Sequence, residues 1–442
     1  MHGSVKAGAA IDLVGDNGLS RYQKLVVILC ATIALLDGFD TQAIGFVAPV
    51  IAQEWAMPLA AFGPIFAVGL LGGLVGAVLF GLVADRYGRR ITLLLTVALF
   101  ALGSLVTPLA TTGWELGFYR LVTGLGLGGA MPSIIALTSE YSPARMRTTL
   151  IVAMFCGFPL GAVVGAILSA PLIAHFGWES VFLLGGIVPI LLLPILVLRM
   201  PESLGWLTAR QNINAVNVIL SRMGKPPVTI AALARADEQN LEGQGKTSIY
   251  ALFTEGRLIG SLLIAGVFFV SLLLVFLMVS WIPAIAVESG LSVQKGVLAA
   301  AVLNITGIIG SLLIGAVSDR LGVYRIVGGA YLLGGAAVVL LALGAQPSST
   351  IFLFCAVAGF FCIGAQMCVI SIASQFYPVD IRATGVGWSM GMGRFGAIVG
   401  PLIGAALIGG TAGKSLFWIV SVLSILAGIG ILILGLSMRR RK

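Results

Sequence analysis

Charge is scarce in this 442-residue chain: Asp, Glu, Lys and Arg make up 10% of it, against about 25% in a typical soluble protein. With 59% of residues hydrophobic, too little polar surface remains to clothe a set of water-soluble domains. Histidine is nearly absent, only His2 and His175. No His or nucleophile cluster falls at one depth, which speaks against a membrane enzyme. The five cysteines (Cys30, Cys156, Cys355, Cys362, Cys368) all lie in apolar runs. Their spacing suggests neither a metal site nor a disulfide framework, and they read as small packing residues. Short alternating segments, the mark of a β-barrel, are lacking too. No short apolar stretch with a cleavage site precedes the first long run, so Met1 to Ser20 does not read as a cleavable signal.

What is present is long, continuous apolar sequence. A membrane helix needs about 20 apolar residues. Twelve stretches qualify, at roughly 25–51, 62–84, 91–110, 115–140, 149–174, 181–200, 258–284, 296–318, 326–345, 351–376, 383–409 and 415–438. The chain reads as an all-α membrane protein with twelve transmembrane helices. The longest polar stretch divides them six and six. This gives an N-terminal segment 1–24, a six-helix bundle 25–200, a central loop 201–257, a second bundle 258–438 and a basic tail 439–442. The loop contains helix-like pieces near 206–221 and 228–240 and no catalytic constellation.

Lys and Arg set the orientation, because they accumulate in cytoplasmic segments. With both termini cytoplasmic, 22 of the 26 Lys and Arg lie on that side, and the outer loops hold only Lys295 and Lys414. The net charge of +9 is therefore a topology signal and not a nucleic-acid footprint. The expected form is a monomer crossing the inner (plasma) membrane many times.

The two halves echo each other. Gly81-Leu82-Val83-Ala84-Asp85-Arg86-Tyr87-Gly88 recurs as Gly315-Ala316-Val317-Ser318-Asp319-Arg320-Leu321-Gly322, an offset of 234. Ser139-Glu140-Tyr141-Ser142-Pro143 and Arg147 recur as Ser374-Gln375-Phe376-Tyr377-Pro378 and Arg382, an offset of 235. Six spans per half keep both halves in one orientation, a parallel repeat about an axis along the membrane normal. Such repeats hold their site between the halves near the midplane and open it to alternate sides.

Four charged side chains lie inside spans, where charge is costly and marks ion or substrate pathways. Asp37 and Asp40, three residues apart, share one helix face, about 18 and 22 Å from the cytoplasmic end near Leu25. Burial and a nearby cation pull a carboxyl's proton affinity in opposite directions, and a pair subject to both can load and unload a proton. Arg120 reaches a similar depth and is expected to pair with Asp37 or Asp40. Arg394, about 16 Å into the eleventh span, is too deep to reach the surface easily and has no acid at its depth in the second half. Its guanidinium suits a carboxylate ligand, with Asp37 or Asp40 across the interface as the alternative partner, and the glycines beside it leave room for a ligand. Gln366, Asn304, Trp388, Trp281 and Phe39 are candidates to line the same cavity. The amides would bond a ring hydroxyl, and the aromatics would stack on a ring.

At the cytoplasmic ends, Asp85, Arg86, Gly88, Arg89 and Arg90 form a tight charged turn. With Glu140, Asp319, Arg320 and Arg382 they are expected to latch helices in one state. Gly124-Leu125-Gly126-Leu127-Gly128 lies within a span and follows no strand, so it is not a nucleotide loop. Gly157, Gly161 and Gly165, four apart, form a close-packing face, and Pro159 is expected to kink their helix.

These motifs resemble the major facilitator superfamily through Gly81, Asp85-Arg86, Gly88 and Arg89-Arg90 on a twelve-span frame, a match over nearly the whole chain. Within it the chain is similar to the aromatic acid:proton symporters. Asp37-Gly38-Phe39-Asp40, Arg120 with Thr123 and Gly124, Ser139-Glu140, Arg382-Ala383-Thr384-Gly385 and Gly393-Arg394-Phe395-Gly396-Ala397 carry that likeness. The resemblance implies import of benzoate-like, hydroxybenzoate-like or phenylpropionate-like acids with protons as the coupling ion, no other cofactor, and no metal. It implies transport roles for Asp37, Asp40, Arg120, Glu140, Arg382 and Arg394. One departure is visible: some hydroxybenzoate carriers have a His in the turn after the eighth span, where this chain reads Gly322-Val323-Tyr324-Arg325. That weakens transfer of one particular substrate. A proton-driven exporter and a membrane sensor of aromatic acids are the alternatives. The fifth span lacks a clean Gly-x-x-x-x-Gly-Pro exporter pattern, and 201–257 is small for a signalling domain.

Overall fold

The computed structural model describes residues 18–229, 249–343, 350–378, 381–408 and 412–439. The tail from Arg440 onward, most of the loop piece at 228–240 and the first seventeen residues lie outside them. Among the described residues, twelve helices are long and apolar enough to cross a membrane, and no strand occurs. The first six spans are Arg21–Glu54, Leu59–Tyr87, Arg89–Leu109, Gly113–Glu140, Ala144–Phe176 and Glu179–Arg199. The second six are Leu258–Glu288, Val293–Leu321, Val323–Leu343, Thr350–Phe376, Thr384–Leu407 and Ser415–Met438.

The helices outrun their apolar stretches because polar residues cap them. Ser20 starts the first span four residues before the apolar run. Its hydroxyl accepts from Gln23 N at 3.3 Å, and Gln23 Oε1 accepts from Ser20 N at 2.9 Å, a reciprocal capping box. Thr112 and Ser292 cap the fourth and eighth spans through the side chain alone, accepting from Glu115 N and Lys295 N.

Two spans are interrupted. The fifth breaks at Cys156, between Arg147–Phe155 and Gly157–Phe176. Pro159 has no N–H for the carbonyl of Phe155, four residues back, so the break falls where proline dictates. The tenth contains a π-helical turn, Gly359–Ile363, which the sequence reading did not foresee.

The repeat is visible in the backbone. Gly88 and Gly322, related by the offset of 234, end the second and eighth spans with φ +98° and +97°, a conformation that glycine adopts without steric cost. The loop helix expected over 206–221 is instead two, Leu204–Ala209 and Ile213–Arg222. They are separated at Gln211, whose φ is +57°. The second buries Val216, Ile219 and Leu220 against the first bundle.

The even number of spans puts the starts of the odd spans on one face, with the central loop; we call it the linker face. The opposite face is sealed. There Phe66 meets Trp281 edge-on at 5.2 Å, and Trp281 Nε1 donates to Pro401 O at 3.0 Å. The backbones approach so closely that a Cβ on Gly63 would stand 2.3 Å from that of Ala405, and one on Gly45 would stand 3.3 Å from Ser280 O. Toward the linker face the halves diverge.

Candidate functional site

The space between the halves is a cavity of about 700 Å³. It runs from Asp37, Asp40 and Arg120 at its inner end to Asp319, Val323 and Gln375 at the linker-face ends of their spans. Its wall from the first half is mostly apolar, with Leu70, Met131, Phe155 and Phe158; the second half contributes Ser311, Gln366, Ser371 and Arg394.

At the inner end, Arg120 Nη1 and Asp40 Oδ2 form an ion pair at 3.1 Å, with side-chain exposures of 4% and 1%. Hydroxyls surround it, leaving the buried Arg120 Nε as its one donor without a partner among the described residues. Ser104 donates to Asp40 Oδ1. Arg120 Nη2 donates to Thr107 Oγ1 at 2.8 Å and Thr123 Oγ1 at 3.0 Å. The guanidinium carbon also lies 4.6 Å from the centre of the Phe182 ring, a cation–π contact. Small residues make the room: a Cβ on Gly185 would press on Phe39 and on Asp40 Oδ1. A buried ion pair is tolerable only with this degree of satisfaction. Ser104, Thr107 and Thr123 were missed by sequence reasoning, because single hydroxyls are common in membrane helices. The available signal was spacing, since Thr107 follows Ser104 by three residues and Thr123 follows Arg120 by three.

Asp37 is placed differently. Thr41 Oγ1 donates to it at 3.0 Å, and no basic side chain among the described residues lies within ion-pair distance of it. Its carboxylate lines the cavity within electrostatic reach of Arg394. The two acids thus share a helix face but not a partner. Gly38 between them is held by packing. A Cβ there would stand 1.9 Å from Phe158 O, and on the facing helix one at Gly161 would stand 1.8 Å from Leu35 O.

Arg394 is half-buried on the cavity wall, and its Nη1 donates across the interface to Gly73 O at 3.2 Å. It forms no ion pair with Asp37 or Asp40. The expectation that its neighbouring glycines leave ligand space is corrected. A Cβ on Gly396 would stand 2.0 Å from Phe269 O and one on Gly393 2.6 Å from Leu272 Cδ1, so both serve helix packing; only Gly391 faces open space.

Of the five expected cavity residues, Gln366 alone is on the wall. Asn304 is buried in a reciprocal amide pair with Gln42, at 3.1 and 3.2 Å, that ties the eighth span to the first beyond the inner end of the cavity. Phe39 packs inside the first bundle, against Gly165 and Gly185. Trp281 belongs to the far-face seal. Trp388 lies against Phe253 at 5.8 Å. Asn304 and Trp281 are held by these hydrogen bonds and Phe39 by packing, whereas the buried Trp388 Nε1 has no partner among the described residues.

The charged residues expected to latch helices make such contacts within the first bundle and its loop. Asp85 pairs with Arg89 at 3.2 Å within its own turn. Arg90 Nη2 donates to Val197 O, and the Arg86 carbonyl accepts from Arg210. Glu140 accepts from Ser203 Oγ at 2.9 Å and Gly205 N at 3.3 Å. Every one of these contacts stays within the first bundle and its loop. Asp319, Arg320 and Arg382 are exposed. The organising residue is one that the sequence reading passed over, Glu202. Its Oε1 accepts from Arg89 N, Arg90 N and Ser203 N at 2.7–3.0 Å. This caps the third span where Gly88 turns the chain; a Cβ on Gly88 would strike Glu202 Oε2 at 2.3 Å.

Comparison with known proteins decides the family. A profile of the Major Facilitator Superfamily matches residues 30–310 and 264–442, nearly the whole chain. The chain belongs to the major facilitator superfamily. Members similar to it include the gallate transporter of Pseudomonas putida, 39% identical, covering 90% of this chain and 88% of that one. The 4-hydroxybenzoate transporter PcaK of Acinetobacter baylyi is 37% identical (90% and 87% covered). The 3-(3-hydroxy-phenyl)propionate transporter of Escherichia coli is 36% identical (93% and 92%). Among solved structures, the fold is similar to the inward open conformation of the xylose transporter XylE from E. coli, with TM-score 0.70, 17% identity and coverage of 92% and 95%. As a major facilitator, the chain is a multi-pass membrane transporter and not an enzyme.

Proposed function

We propose that this transporter imports a small aromatic carboxylate together with at least one proton, by alternating access between its two bundles. One observation carries the reading: a single cavity joins Arg394 and Asp37, a cation and an acid that among the described residues have no ion-pair partner. Arg394 holds the substrate carboxylate bidentately. Asp37 exchanges the proton, because a proton reaches it from the cavity without breaking an ion pair. Asp40 and Arg120 form the fixed charges behind it. Relatives named for gallate, 4-hydroxybenzoate and hydroxyphenylpropionate support the substrate class.

The Lys and Arg distribution assigns the linker face to the cytoplasm. The structure is then the state open to the cytoplasm, with both termini on that side of the inner membrane and the monomer as the working unit. Proteoliposome uptake tests the proposal. A panel of aromatic acids is offered with and without an inward proton gradient. Gradient-driven accumulation is expected, and Arg394→Ala abolishes it by weakening acid binding. Outward flux driven by the gradient, or accumulation without it, refutes the coupling.

A further inference from the structure

Among the polar groups of the cavity that the proposed cycle leaves unused, Gln366 carries an amide about as deep along its span as Arg394 along its own. The Gln366 amide makes no hydrogen bond in the protein and faces the cavity. Its aim has a structural cause in the π-helical turn just before it, Gly359–Ile363. One extra residue in a turn rotates everything after it by about 100°. Ala365 consequently packs inward, fully buried, while Gln366 and Met367 take the cavity side. π turns of this kind are frequent at functional sites.

Depth relates Gln366 to Arg394. Gln366 and Ser311 lie ten residues from the linker-face ends of their spans, and Arg394 lies ten from the start of its own, so each backbone position is about 15 Å deep. The Arg394 guanidinium points deeper, to the carbonyl of Gly73. Gly73 lies fourteen residues from Tyr87, or about 21 Å deep. The backbone of Gln366 therefore stands about 6 Å nearer the mouth than that of Gly73, whose carbonyl the guanidinium reaches, roughly the length of one benzene ring. A ring held by its carboxylate at Arg394 presents its far edge to Gln366.

Chemistry selects the substituent. An amide both donates and accepts, as a phenolic hydroxyl does. Ser311 Oγ already donates to Ile308 O at 2.8 Å, so it offers the cavity only acceptor capacity. An apolar ring edge would strip water from the amide and return nothing. A second carboxylate would find no cation there. We propose that Gln366 determines specificity for a ring hydroxyl meta or para to the carboxylate, so that hydroxylated benzoates are preferred over benzoate. This rests on the carboxylate reading of Arg394.

The test uses the full chain in proteoliposomes or nanodiscs, with equilibrium binding of 4-hydroxybenzoate and benzoate. Wild type is expected to favour the hydroxylated acid about tenfold. Gln366→Met should bring the ratio to about one while benzoate affinity stays within about twofold, which also shows that the site is folded. Should Gln366→Met bind neither acid, Gln366→Asn decides, with an intermediate ratio expected. Equal loss for both acids in a variant that still binds them, or a retained tenfold ratio in Gln366→Met, overturns the assignment. A wild-type ratio near one with binding intact overturns it too and leaves the transport reading standing. Failure of wild type to bind either acid instead refutes the transport reading itself.

Discussion

Removing the Gln42–Asn304 amide pair should open the far face. Both side chains are 3% exposed, and they exchange two hydrogen bonds between the halves at 3.1 and 3.2 Å. Asn304 also donates to Ala300 O at 2.9 Å within its own helix. The pair exists only while the far face is closed; once it opens, water satisfies both amides. Each such bond contributes about 1 kcal/mol net, and a buried amide left without its partner costs about 1–3 kcal/mol. Asn304→Ala therefore shifts the balance between closed and open far faces by about 2 kcal/mol, roughly thirtyfold. Spin labels at Gln53 and Ser289, both exposed on the far face, report that opening by electron–electron distance measurement. A second pair at Tyr87 and Leu321, exposed on the linker face, reports closure there. In Asn304→Ala the first distance should gain a longer population and the second a shorter one. Gln42→Ala should do the same, and the double variant should add little more, because both break one contact. Thr306→Ala, half a turn along the same helix but bonded only within its own half, should change neither distance. Unchanged distributions in Asn304→Ala, or equal changes in Thr306→Ala, would refute the assignment of this pair to the far-face closure.

Three further substitutions separate scaffold from coupling. Asp37→Asn removes no ion pair, so its thermal midpoint should match wild type while proton-driven accumulation is lost and substrate counterflow survives; retained accumulation removes Asp37 from coupling. Asp40→Ala strands a buried Arg120 and should destabilise the fold by about 3–5 kcal/mol, seen in thermal melts, whereas Asp40→Asn with Arg120→Gln should regain much of that stability. Glu202→Ala removes the cap of the third span and should cost about 1–2 kcal/mol, with faster trypsin cleavage in the central loop; cleavage at the wild-type rate would show that the loop is held by other contacts.

The sequence exposed the costly features. Charges inside apolar runs, the span count and the two echoes at 234 and 235 were legible because each violates a strong expectation for membrane helices. Which charge meets which was not legible, since pairing is set by helix rotation. Both acids line the cavity, yet Asp40 meets Arg120 while Asp37, three residues earlier, meets only Thr41. Partners outside the spans' charged set were hidden for a related reason. Ser104, Thr107, Gln42 and Glu202 are ordinary residues in sequence and acquire meaning only from a facing group. The π turn was invisible because Gly359-Phe360-Phe361-Cys362-Ile363 reads as unbroken apolar helix.

The repeat duplicates the scaffold without duplicating the chemistry. The offset that carries Gly88 onto Gly322 carries Asp37 onto Ser271 and Asp40 onto Leu274. Ser271 meets Tyr331 in a neutral hydroxyl contact at 2.5 Å, and Ser424 donates to Tyr331 O at 2.7 Å. In the other direction, the offset of 235 carries Arg394 onto Pro159, and Gly396 onto Gly161. The two glycines keep one packing role, each against the carbonyl of an equivalent residue, Phe269 or Leu35. The polar residues have diverged while the close-packing residues have not. On the proposed reading, the first bundle then keeps the proton and the second keeps the substrate charge. Neither bundle can complete the cycle alone, and the only place where the two charges meet is the cavity between them. Coupling in such an arrangement needs no conformational signal through either bundle. A substrate carboxylate at Arg394 and a proton on Asp37 enter the same cavity with opposite charges, so the two loaded together leave its net charge unchanged.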